Sequence, residues 1–226
     1  MRKILGFLSA IAGVGVLVWV IYPIVGYEIM SMLRFGEYLS PIPAEEEGIY
    51  AKAAEGETDL TKASNWFVGD PPSAEVMEAQ GGVRFYTLSI PTLKIKNAAV
   101  AVGGEDLSES LIQYPGTAYP GKRGNGVVFG HSVLPQFFDP EDYLTIFSTL
   151  PKIEKGDMIE ANYDGINYQY VVENIFEVMP TDIEILAQNT DDSYLTLVTC
   201  VPPGHPLRPK RLIVRARLVP LGERVY

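Results

Sequence analysis

The chain has 226 residues but only one cysteine, two histidines, and 18 lysines and arginines against 28 aspartates and glutamates. Each shortage excludes something. A single thiol cannot form an intramolecular disulfide, so the fold is not a disulfide scaffold. A net charge of −10 leaves no basic footprint for nucleic acid. There are no internal repeats and no low-complexity tract, which argues against a solenoid or a disordered linker protein. Only one apolar run is long enough to cross a membrane.

That run lies at the N-terminus. Arg2 and Lys3 precede 22 uncharged residues, Ile4 to Val25, enough to span roughly 30 Å of hydrocarbon. Trp19, Tyr22 and Tyr27 stand where an interfacial aromatic belt belongs, and Pro23 falls near the outer end. A cleavable signal peptide has a shorter apolar region and a small-residue cleavage site, whereas this run ends in Tyr-Pro-Ile-Val-Gly-Tyr. The expectation is an uncleaved single-pass anchor over residues 1–27, with the N-terminus cytoplasmic and the rest of the chain outside. About 200 residues remain, sufficient for one domain with a real core.

Residues 28–82 carry 11 acidic and 3 basic side chains and read as an acidic juxtamembrane connecting region. Short helices are expected within residues 44–55 and 74–80, around a small apolar cluster at Asn65-Trp66-Phe67-Val68. From Val83 the pattern changes. Val83–Ile90, Ala98–Val102, Gly126–Gly130, Met158–Tyr163, Tyr168–Val178, Tyr194–Cys200 and Arg211–Val219 read as strands punctuated by Gly, Pro, Asn and Asp. Short helices are expected at Asp106–Gln113, Thr145–Leu150 and Asp182–Gln188. Asp164-Gly165 signals a hairpin. Seven or eight short strands with few helices predict a mainly β domain, a closed or nearly closed β-barrel, with a sandwich as the alternative. The domain occupies residues 83–220, followed by a tail at 221–226.

Cys200 closes the apolar, β-branched run Tyr194–Cys200, which Val201-Pro202-Pro203-Gly204 terminates. The thiol therefore emerges at a strand end. An exported protein that keeps one unpaired cysteine is a candidate for using it. A nucleophilic thiol needs a base or a cationic neighbour. His131 ends the strand Gly126–Gly130 in the same way that Cys200 ends its own, so the two make a site if both strands finish at one end of one barrel. His205 lies in a proline-rich loop, which holds a base less rigidly, and is read as a surface residue. Period-2 alternation in Arg211–Leu218 puts Leu212, Val214, Ala216 and Leu218 on the core face. An antiparallel neighbour of the cysteine strand brings Arg211 close to Cys200, where it favours a thiolate or donates to an oxyanion. Arg208 is a weaker candidate, and Arg215 and Arg217 read as solvated charges.

Thr196-Leu197-Val198-Thr199-Cys200, followed by Arg211-Leu212-Ile213-Val214-Arg215, resembles the signature of the sortases, the cysteine transpeptidases of bacterial surfaces. Gly124–Ser132 is similar to their histidine strand. The resemblance covers about residues 83–220. It implies an eight-stranded sortase-like β-barrel with a few short helices behind a transmembrane helix, and His131, Cys200 and Arg211 as the catalytic residues. Cleavage of a Leu-Pro-x-Thr-Gly-like signal through a thioester is implied as well. The implied partners are secreted proteins with a C-terminal sorting signal, an amine nucleophile from cell wall or a pilin-like protein, and the bacterial cell membrane. No cofactor or metal is implied. Thr199 and Ser132 are candidates for substrate contact beside the catalytic residues. Ile183, Ile185 and Leu186 either wall the substrate groove or form a core helix face. Asp70-Pro71-Pro72 lacks the aromatic of a pilus-sortase lid motif and no second span follows, so a class other than the typical pilus-building one is expected. The alternatives are a peptidase of the same fold that only hydrolyses, and an extracellular binding domain with an inert thiol.

Overall fold

The computed structural model describes residues 2–37, 59–66, 85–188 and 191–220. The helices expected within 44–55 and 74–80, and Asp70-Pro71-Pro72, lie outside these residues. The chain opens with one helix, α1 (Arg2–Arg34), followed by nine strands: β1 (Gly36–Glu37), β2 (Phe85–Ile90), β3 (Ile95–Val102), β4 (Leu111–Gln113), β5 (Gly124–Phe129), β6 (Met158–Tyr163), β7 (Ile166–Val178), β8 (Ser193–Val201) and β9 (Lys210–Leu218). The strands run in the order β1-β7-β6-β2-β3-β4-β5-β8-β9, and an additional β7–β9 pairing closes β2–β9 into an eight-stranded barrel. The sandwich alternative is thereby excluded, and no edge is left for another chain to pair with along the closed circuit.

All seven strands read from sequence are present, with ends shifted by at most three residues. Of the three short helices expected, the one within 182–188 forms, as a 3-10 helix, and the other two do not. At 106–113 the Asp106 carboxylate accepts from the Ser108 amide and hydroxyl at 2.8 and 2.6 Å. This local turn diverts the backbone, and Leu111–Gln113 then becomes β4, parallel to β3 and antiparallel to β5. Residues 145–150 form turns with three-residue bonds, Ser148 to Thr145 and Leu150 to Phe147, before a single 3-10 turn at Leu150–Lys152. The third segment is a 3-10 turn, Ile183–Leu186. It ends where the Gln188 amide caps the Asn125 backbone, donating to its carbonyl at 2.8 Å and accepting from its N–H at 3.0 Å.

Two apolar clusters follow from strand parity. Leu195, Leu197, Leu212, Val214, Ala216 and Val128 point into the barrel. The alternate residues Val198, Cys200, Ile213, Val127 and Phe129 point outward, yet they are buried in a second cluster with Trp66, Leu107, Ile112, Val178 and Ile185. This double burial explains why β8 reads as a continuous apolar run. The expectation that Leu212, Val214, Ala216 and Leu218 face the core holds. Their opposite face is solvated only towards its end, where exposed Arg217 pairs with Asp192 and Glu173.

α1 continues beyond the expected anchor boundary at residue 27, and its last turns lie on the barrel. Tyr27 and Ser31 hydroxyls each donate to Glu177 Oε1 at 2.6 Å, and Lys210 Nζ pairs with Oε2 at 2.9 Å. Glu177 is buried, and three donors, one of them cationic, offset the cost of desolvating its charge. β1 then adds in parallel to β7, Gly36 opposite Phe176. Among the described residues α1 alone is long and apolar enough to cross a membrane.

Gly130 links β5 to His131. A Cβ there would lie 2.4 Å from Phe147 Cδ2 and 2.6 Å from Leu111 Cδ2. Gly130→Ala is therefore expected to lose about 1–3 kcal/mol through overpacking, read as a lower denaturant midpoint. A midpoint equal to that of the wild type would show slack that this packing does not contain.

Candidate active site

β8 pairs antiparallel with β9, and Cys200 stands directly opposite Arg211. β5 pairs parallel with β8, its last residue Phe129 opposite Val198. Counting two residues on along each strand sets His131 level with Cys200. Parity places all three side chains on the outer face of the barrel wall: His131 with Val127 and Phe129, Cys200 with Val198, and Arg211 with Ile213. The structure thus brings Cys200, His131 and Arg211 to one rim. All three are buried, at 2, 4 and 3 % exposure.

The rim is tied backbone to backbone and side chain to backbone. Gly130 N–H donates to Val198 O at 3.1 Å and Phe147 N–H to His131 O at 2.9 Å. Thr199 Oγ1 donates to Gly130 O at 2.8 Å, and Ser132 Oγ donates to Cys200 O at 2.6 Å. Thr199 and Ser132, the candidates for substrate contact, are buried, with their hydroxyls joining the two strand ends. Their type suits that task, because a hydroxyl at a strand end satisfies a carbonyl that the ladder no longer reaches. Ile185 and Leu186 pack into the second cluster, and of the three expected groove residues only Ile183 is exposed. His205 lies in a turn, its Nδ1 accepting from the Leu207 amide at 3.2 Å.

Arg211 is held by carbonyls. Nη1 donates to Arg208 O at 3.0 Å and to Lys210 O at 3.3 Å, and Nε donates to Trp66 O at 3.3 Å. Its guanidinium also lies 5.5 Å from the centre of the Trp66 ring. Carbonyls leave the positive charge unneutralised, which suits a group that faces a developing negative charge.

Sequence reasoning missed Trp66. It is fully buried, 5.3 Å from the Phe129 ring and 5.9 Å from the His131 ring, with its Nε1 donating to Leu60 O at 2.9 Å. Residues 59–66 are stitched to the β3–β4 loop by Ala63 N–H to Glu105 O at 3.0 Å and Leu107 N–H to Thr61 O at 2.8 Å. The indole therefore plugs the space between His131 and Arg211. The available signal was a lone tryptophan in an acidic, proline-punctuated segment with little apolar sequence nearby to bury it.

Covering has an electrostatic result. Burial, with a smaller contribution from the Arg208 charge, pushes the His131 pKa down to about 4, against an opposing pull from Asp59 and Asp106. Nε2 has no hydrogen-bond partner among the described residues. The covered imidazole is thus neutral at pH 7. No group of three or more metal-ligating side chains converges among the described residues.

A closed barrel with a thiol, an imidazole and a guanidinium on one rim defines a β-barrel with a cysteine-centred candidate site. A sortase domain model matches residues 88–219, more than half of the chain, and the chain belongs to the sortase family. It is 30% identical over 128 residues to Sortase A of Staphylococcus aureus, covering 49% of this chain and 58% of that protein. It is 33% identical over 78 residues to Sortase A of Streptococcus agalactiae, covering 34% and 30%. The chain thus spans less than two thirds of the length of either relative. Among solved structures, Sortase A from Corynebacterium diphtheriae superposes with a TM-score of 0.57 at 24% identity, over 79% of this chain and 82% of that one, a likeness of fold.

Trp66→Ala is expected to unplug the rim. Losing roughly 3 kcal/mol of packing predicts about 100-fold faster labelling of Cys200 by a thiol reagent. The His131 ring resonance, assigned against His205→Ala, should titrate near 4 in the wild type and move up towards its ordinary value of 6.5 in the variant. Between these values the uncovered form binds more protons, so acidification through that window favours uncovering. Unchanged labelling and an unchanged titration would show that Trp66 does not cover the site.

Proposed function

We propose that the chain is a membrane-anchored cysteine transpeptidase of the bacterial cell surface. In this reading the Cys200 thiol passes its proton to neutral His131 and the thiolate attacks the backbone carbonyl of a Leu-Pro-x-Thr-Gly-like sorting signal on a secreted protein. The carbonyl oxygen takes up negative charge, which Arg211 meets with directional N–H donors. His131 donates a proton to the leaving amine as the peptide C–N bond breaks, leaving a thioester on Cys200. An amine from cell wall or from another surface protein then attacks the thioester carbonyl, its proton passing to His131. The C–S bond breaks, and Cys200 is regenerated as the new amide forms. α1 is the anchor, residues 85–220 carry the chemistry, and residues 59–66 hold the site closed until substrate displaces Trp66.

The single observation that carries this reading is the shared rim: Cys200 paired with Arg211 across β8 and β9, and His131 level with them two residues beyond the end of β5. Membership of the sortase family supports it.

The test is a labelled sorting-signal peptide with the full chain, with and without a short amine acceptor. Intact mass should reveal an acyl adduct on Cys200, and the joined product should appear only with the amine. Water alone resolving the thioester even with amine present would make the protein a hydrolase. Cys200→Ala should abolish turnover with the fold unchanged. His131→Ala should lose about 10²–10⁴-fold. Arg211→Lys should be nearly as damaging as Arg211→Ala, because a point charge does not replace a planar fork of donors. Turnover retained in Cys200→Ala would overturn the reading, and near-wild-type turnover in Arg211→Lys would remove the oxyanion role from Arg211.

A further inference from the structure

α1 leaves the barrel at the end that bears the site. Glu177, which receives Tyr27 and Ser31, is the neighbour of Val178 on β7; Val178 pairs with Arg211, and Arg211 pairs with Cys200. From Tyr27 the helix continues past the β5–β6 loop, where Trp19 meets Phe137 with ring centroids 5.6 Å apart, edge to face. At 1.5 Å per residue Trp19 lies about 24 Å along the helix from Lys3. That is within the outer margin of a hydrocarbon layer roughly 30 Å thick. Phe137 is therefore at membrane depth if α1 spans.

The surroundings of Phe137 suit that depth. Phe137 and Leu207 are 54 and 72 % exposed, unusual for large apolar side chains at loop tips. With Leu134, Pro206 and Arg208, Phe137 lines an open cavity of about 280 Å³ between the two loops. Gly204 holds these loops together: its φ is +77°, and a Cβ there would lie 2.5 Å from Leu134 Cγ. In a chain with 28 acidic side chains, residues 131–138 and 201–210 contain none, while Arg208 supplies positive charge.

We propose that this rim, with Leu134, Phe137 and Leu207 as its apolar tips and Arg208 as its cation, is seated in the headgroup layer of the bilayer that α1 crosses. The inference rests on α1 being a membrane anchor, as proposed above. Apolar tips enter the acyl boundary while basic side chains meet anionic lipid. The anchor is then no stalk holding the barrel away from the membrane. It draws the site end down to the surface of the bilayer that α1 crosses.

The experiment uses the full chain with Cys200→Ala, carrying one new thiol at a time: Val16→Cys in α1, Phe137→Cys, Leu207→Cys, or Asn167→Cys at the far end of the barrel. Each is labelled with bimane in vesicles of phosphatidylglycerol and phosphatidylcholine, with and without lipid bearing a shallow acyl-chain nitroxide. Labels at 16, 137 and 207 are expected to lose roughly half or more of their emission, as groups inside the boundary region do, while the label at 167 keeps its own. Quenching at 16 with 137 and 207 behaving like 167 would overturn the docking and leave the anchor standing. No quenching at 16 would overturn the anchor and the docking with it. Labels at 137 and 207 that are shielded from water, unquenched by lipid and accompanied by a dimer on crosslinking would assign the patch to a second copy of the chain and overturn the proposal.

Discussion

Everything at the rim depends on which neighbours β8 has. It lies between a parallel partner, β5, and an antiparallel partner, β9. A parallel partner ends at the same end of the barrel, and an antiparallel partner begins there. One central strand can therefore gather a C-terminal residue from β5, its own penultimate residue and the second residue of β9 within one turn of the wall. Because side chains alternate, the same registers also fix the face. A slip of one residue in either pairing would send one of the three groups into the barrel and leave the others alone on its surface. The closed circuit, the double burial of β8 and the hydroxyl ties of Thr199 and Ser132 all act against such a slip.

Cys200, His131 and Arg211 were legible in sequence because strand ends announce themselves. An apolar, β-branched run that stops at proline or at a polar residue marks where a side chain leaves the wall, and alternation gives its face. The paths of the short connecting segments were not legible. Ser108 and Thr145 redirect the backbone through local bonds, to Asp106 and Asp139, that compete with a helix, and Gln188 does so through Asn125, 63 residues earlier. Ile183, Ile185 and Leu186 share one turn, and whether such a turn faces solvent or core depends on Asn125, sixty residues earlier, whose amide holds Ile185 O at 2.8 Å. The docking of α1 was equally hidden, since nothing in residues 27–31 signals a buried glutamate on β7.

The two apolar layers differ in what they do. The barrel interior is built of residues from all eight strands of the barrel and contains no group of the candidate site. The second cluster mixes wall residues with Ala63, Trp66, Leu107 and Ile185 from connecting segments, and it includes Cys200 itself. Stability and exposure of the thiol are thus separated: the inner core keeps the wall closed while the outer one covers the rim.

Trp66 is also part of the molecule whose site it covers. A cover that is tethered competes at an effective concentration fixed by its linker, commonly in the millimolar range, and dilution does not weaken it. A freely diffusing peptide must exceed that local concentration by affinity alone. A substrate confined to the same membrane surface is itself concentrated by confinement, so the two tethers offset one another. If the chain works as proposed, the plug filters where a substrate comes from as much as what sequence it carries.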